Sequence, residues 1–137
     1  MWFKLNAAVF CFLFPIMIFG AGNNAQLDSG MTNPGYEEKP DWFKLSLLDI
    51  REDISEAAKA KKRVILYFYQ DGCPYCKKLL QDNFGQKEIA DYTQKHFELI
   101  AINMWGSKEV INLTGKTISE KGFATEFKVN FTPTLLF

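Results

Sequence analysis

Val64-Ile65-Leu66-Tyr67-Phe68-Tyr69-Gln70-Asp71-Gly72-Cys73-Pro74-Tyr75-Cys76 is the stretch on which the fold turns. Its first six residues form an unbroken β-branched and aromatic run. A run that is apolar at every position, rather than at alternate ones, predicts a central strand buried on both faces. Gln70-Asp71-Gly72 ends it with turn-forming residues. Pro74 follows the first cysteine, and a first-turn proline is tolerated because its missing N–H has no helical partner. The stretch reads as strand, tight turn, then a helix from Pro74 to about Asn83 with two cysteines at its start.

That placement carries chemistry. Unpaired N–H groups at the start of a helix stabilise a thiolate. A thiol of ordinary pKa ~8.5 falls to roughly 3.5–7.5 in such positions. Lys77 adds positive potential and Asp71 opposes it. Cys73 precedes the helix, so it is expected to face solvent and to attack. Cys76 shares a helix face with Leu79 and Leu80, so it is expected to be buried and to resolve a mixed disulfide. The same spacing serves zinc sites, which need four ligands. Once residues 1–22 are removed, His96 is the one further His or Cys, so no metal is expected. Covalent haem attachment needs His directly after the second cysteine, and position 77 is Lys.

Working outward, Ser46 is expected to cap a first helix, with Asp49 three residues on. Leu47, Ile50, Ile54, Ala57 and Ala58 recur at helical spacing, and the helix should end near Lys61-Lys62. A further helix is expected over 87–96, with Ile89, Ala90 and Tyr92 on its apolar side. A strand follows over 97–104, then a turn at Trp105-Gly106-Ser107 and a short extra strand over 109–113. Ser119 caps a helix through about Lys128, with Phe123, Ala124 and Phe127 inward. Thr134-Leu135-Leu136-Phe137 starts a last strand. Helices alternating with strands predict an α/β sheet covered on both faces.

The chain's 137 residues fit one domain. A hydrophobic share of 47% excludes a disordered tail, and 16 basic against 16 acidic side chains exclude a strongly basic nucleic-acid binder. Residues 1–22 read as a signal peptide: Lys4, an apolar run from Leu5 to Phe19, then Gly20-Ala21-Gly22 before Asn23-Asn24. The run is shorter than the ~20 residues a membrane span needs, with an uncleaved anchor as the alternative. Export places the protein in the periplasm or outside the cell, where disulfides persist. Removal of residues 1–22 takes Cys11 and leaves Cys73 and Cys76. That pair closes too small a loop to be a useful staple. Residues 23–41 read as a flexible leader and 42–137 as the domain.

Phe131-Thr132-Pro133-Thr134 is the second informative site. A trans proline there merely marks the start of a strand. A cis bond would turn the chain sharply and bring Thr132 against the cysteines; the sequence leaves the isomer open, and population statistics favour trans.

Together, Val64–Tyr69, Cys73–Cys76 opening a helix, and Thr132-Pro133-Thr134 before a strand resemble the thioredoxin fold over roughly residues 46–137. The resemblance implies a central mixed sheet flanked by helices. It implies a cis Pro133, with Thr132, Pro133, Pro74 and Tyr75 on the client-binding side. Pro74-Tyr75 is like the dipeptide of glutaredoxins. The signal peptide and the segment from Trp42-Phe43 through Asp71-Gly72-Cys73 are more similar to exported thioredoxin-like proteins, especially periplasmic thioredoxins associated with bacterial sulfur oxidation. It implies a monomeric thiol–disulfide oxidoreductase that needs no cofactor. Client proteins with disulfides and a membrane thiol-electron carrier are the implied partners.

Three departures stand out. Tyr67 occupies the position where cytosolic thioredoxins carry a buried acid, and Gly72 the position of their Trp. The family also adds a further strand and a C-terminal helix after this point, so the chain reads as a fragment of a longer product. Two other functions remain at this stage: a copper-handling protein, since two thiolates suit Cu(I), and a redox-silent binding domain. His96 is expected as a helix-end charge partner. Trp42, Phe43 and Trp105 are expected in core or rim packing, Asp71 as a turn residue or a tuner of Cys73, and Lys59–Arg63 as a solvated helix end.

Overall fold

The computed structural model describes residues 39–137, so the signal peptide expected over residues 1–22 and most of the leader expected over 23–41 lie outside the described residues. The central strand is β1, Arg63–Tyr69, whose residues Ile65 to Phe68 are all buried. Strand β2, Phe97–Asn103, runs parallel to it, from Arg63 opposite Phe97 to Tyr69 opposite Asn103. Strand β5, Thr134–Leu136, runs antiparallel on the other side, with Leu66 opposite Leu136 and Phe68 opposite Thr134. The order β2-β1-β5 gives β1 partners on both edges and cover on both faces, which is why its sequence is apolar throughout.

Alternation along β1 sorts its side chains between two layers. Leu66 and Phe68 pack with Ile100, Ile102, Val110 and Phe123. That layer is supplied by helix α1, Ile50–Lys59, and helix α4, Glu120–Glu126. Ile65 and Tyr67 point the other way and join Leu99, both cysteines, Leu80 and Phe84. Helix α2, Pro74–Lys78, and helix α3, Lys87–His96, lie in that second layer, with Trp42 and Phe43 packed at its margin. A central mixed sheet flanked by helices, as the sequence leads one to expect, is the architecture found.

Several local expectations are corrected. Asp49, not Ser46, caps α1: its carboxylate accepts from the N–H groups of Arg51 and Glu52 at 3.1 and 3.2 Å. Ser46 is already engaged, accepting from Leu48 N and donating to the buried Asp53. An anionic cap also suits the positive end of the helix dipole. Leu47 therefore lies before the helix and is 95% exposed. The helix expected to reach Asn83 changes at Leu79 into a π turn, Leu79–Asn83, that carries Leu80 into the core. On α3 the buried residue is Thr93, while Tyr92 is exposed. A hairpin of β3, Glu109–Ile111, and β4, Thr117–Ser119, replaces the single extra strand. Buried Asn112 closes it, accepting from the N–H groups of Thr114 and Lys116 and donating to Glu126. No helix among the described residues is long and apolar enough to cross a membrane.

Candidate active site

β1 delivers the chain at the end of the sheet, and Gly72 turns it. Gly72 has φ +71°, in the left-handed region, and a Cβ there would meet nothing within 4 Å. Backbone conformation rather than space therefore demands glycine at the position where the resembled family carries Trp. Cys73 follows in extended conformation as the N-cap of α2, and its sulfur accepts the N–H of Cys76 at 3.1 Å. Pro74 occupies the first turn, as its missing donor permits.

Cys73 and Cys76 form a disulfide, with Cα atoms 5.2 Å apart. Cys76 is fully buried. Cys73 is buried too, at 3% exposure, which corrects the expectation that it faces solvent. Its sulfur is bonded to Cys76, packs in the layer of Tyr67 and Leu80, and meets Thr132 from across the chain. The Thr132 hydroxyl donates to Cys73 Sγ at 3.3 Å. The Thr132–Pro133 peptide bond is cis. The structure thus brings Thr132 and Pro133 to the cysteines across 59 residues of sequence.

Beside the disulfide lies an open groove of about 410 Å³, lined by Tyr75, Leu79 and Asp82 on one side and by Phe131, Thr132 and Pro133 on the other. Tyr75 and Phe131 are 71% and 72% exposed, so two large rings stand free at its rim. Pro74 lies exposed on the helix start. Tyr67, at the position of the family's buried acid, is fully buried, stacks on Tyr69 and meets Phe43 edge-on.

Sequence reasoning missed the support of this turn. Asp71 accepts from Asn103 Nδ2 at 3.2 Å, and Gln70 accepts from the Trp105 indole N–H at 2.9 Å. Asn103 N donates in turn to Glu120, a carboxylate 3% exposed. The one available signal was Gly106, where a Cβ would overlap the Glu120 side chain. Trp105 is exposed and sits under Lys121 rather than in the core. His96 is the last residue of α3, with its ring 4.6 Å from Tyr92, remote in sequence from the cysteines. Lys62, expected in a solvated cluster, pairs with Glu98 at 2.8 Å. Among the described residues, no three His, Cys, Asp or Glu side chains are grouped to hold a metal.

A disulfide between one cysteine that caps a helix and one beneath it can accept two electrons and two protons and return them. Compared with known protein families, residues 50–137 match the model of the thioredoxin-like domain. A search of curated proteins found no match.

Proposed function

The chain belongs to the thioredoxin-like domain family, and from that premise we propose that it is an exported thiol–disulfide oxidoreductase that reduces disulfides of client proteins. In the dithiol state the Cys73 thiolate attacks one sulfur of a client disulfide. A Cys73–client S–S bond forms, and the other client sulfur leaves as a thiolate that takes a proton. The Cys76 sulfur, once deprotonated, attacks Cys73 Sγ, restores the Cys73–Cys76 disulfide and releases the second client thiol. Two electrons pass to the client, and a donor dithiol returns them by the reverse exchange.

The observation that carries this reading is the double donation to Cys73 Sγ, from Cys76 N at 3.1 Å and Thr132 Oγ1 at 3.3 Å. Donors aimed at a sulfur stabilise it as an anion, the form that attacks and leaves. Thr132, Pro133, Pro74 and Tyr75 line or flank the groove that would receive the client chain, with Phe131 as a second ring. The electrons travel through sulfur alone, so the reaction needs no cofactor. The composition of residues 1–22 supports export to the periplasm or beyond, with a membrane thiol carrier as electron donor. In this reading the protein acts as a monomer, and the balance of 16 basic against 16 acidic side chains supports clients other than nucleic acid. Reduction of insulin disulfides by the full chain, with dithiothreitol as electron source, tests the activity. Turnover above the dithiothreitol background, lost in Cys73→Ser, is expected; turnover that survives Cys73→Ser overturns the reading.

A further inference from the structure

Tyr69 and the two turn residues after it, Gln70 and Asp71, are tied to Asn103 at the end of β2 and to the two residues that follow it. Met104 N donates to Tyr69 O at 2.8 Å, Trp105 Nε1 to Gln70 Oε1 at 2.9 Å, and Asn103 Nδ2 to Asp71 Oδ2 at 3.2 Å. Asn103 is the hub. Its amide oxygen also accepts from Trp105 N at 3.0 Å, and its own N–H is held by the buried Glu120 carboxylate. Gly106 leaves room for that carboxylate to reach in. One residue, through its backbone N–H and its side-chain amide, thus joins a buried anchor to the turn that presents Cys73.

We propose that Asn103 is a positioning residue for the Cys73–Cys76 couple, which it serves by pinning the Asp71 carboxylate and so setting how readily the disulfide is reduced. The inference rests on the redox reading above. Asp71 is the acid nearest to Cys73 in the chain, and it lies on an exposed turn next to a glycine in the left-handed region. An anion near a sulfur opposes its thiolate. The Asn103 side-chain amide donates to that carboxylate and holds it to the end of β2. Released, Asp71 would compete with the Cys73 thiolate for Cys76 N–H and for the positive potential of Lys77 and Lys78 in the last turn of α2. The thiolate loses stabilisation, and the couple moves toward the disulfide.

The test is a redox titration of the full chain against dithiothreitol and glutathione, with N103A, D71N and the double variant. In N103A the equilibrium is expected to shift toward the disulfide by roughly three- to tenfold, the scale of a nearby exposed charge. In the D71N background the same substitution should change it less than about twofold, because no anion is left to release. D71N alone, on an exposed turn, should favour the dithiol, and this arm decides if N103A fails to fold. A full N103A effect that persists without the Asp71 charge overturns the inference, as does a D71N shift toward the disulfide or no shift. A wild-type disulfide that neither thiol opens overturns the proposed activity and this inference with it. Wild-type cycling with uncoupled variants overturns this inference alone.

Discussion

The two faces of β1 are made by neighbouring residues of one strand and are put to different uses. On one face Leu66 and Phe68 meet Ile100, Ile102 and Phe123, a layer of hydrocarbon with ring contacts such as Phe123 to Phe127 at 4.9 Å. On the other, Ile65 and Tyr67 share their layer with two sulfurs. Burial is equally complete on both: Phe68 and Phe123 are 0% exposed, and so are Tyr67 and Cys76. The difference teaches that the redox pair is set within a packed core rather than on a loop above it. Stability and reactivity should therefore respond to substitutions on different faces.

The largest effect should come from the sulfur layer. On the proposed exchange Cys76→Ala removes the resolving thiol, so turnover should stop after the first attack and Cys73 should accumulate in mixed disulfides with clients. Non-reducing gels and mass spectrometry of trapped adducts check this. Next comes the hydrocarbon layer. Phe123→Ala should cost about 3–5 kcal/mol in denaturant unfolding, through lost burial and a cavity beside Phe68. The reduction potential of its folded fraction should barely move; a large shift would break the separation between the faces. Gly72→Ala lies between chemistry and packing. Space for the methyl is present, so the loss should be the left-handed penalty alone, about 1–2 kcal/mol.

The smallest effect is expected from the ion pairs of Lys44. Lys44 Nζ pairs with Glu56 and lies 3.5 Å from Asp53. The hydrogen bond to Glu56 raises the Lys44 amine above its usual range, and the bond from Lys44 holds the Glu56 carboxyl below the usual carboxylate range. A lowered carboxyl stabilises at neutral pH and loses that contribution as pH falls through its folded value. Glu56→Gln should thus lower the unfolding midpoint slightly at pH 7. The gap to wild type should close on acidification. A gap that widens in acid would contradict the sign.

Much of the scaffold could be read from the sequence because strong patterns carry it. An unbroken apolar run allowed only a central strand for β1, and the periodic stretch 87–96 became α3 with the same bounds. Weak patterns failed for physical reasons. Thr117-Ile118-Ser119 is too short for alternation to register, and β4 exists because Asn112 and Lys116 close the hairpin. Ser46 and Asp49 are both competent caps, and only the tertiary bond from Ser46 to Asp53 decides between them. At the site, the cysteines and the Thr132-Pro133 loop were visible as motifs. The clamp from Asn103 and Trp105 was not, because a polar residue at a strand end carries no periodic mark and its anchor is a buried acid.

The central claim is that Cys73 reacts as a thiolate while Cys76 is shielded beneath it. Timed iodoacetamide labelling of the reduced full chain at pH 7, with each site quantified by mass spectrometry, tests it directly. Cys73 should be modified faster than free glutathione under the same conditions, with Cys76 lagging far behind. Labelling of Cys73 no faster than glutathione, or of Cys76 first, would contradict the account.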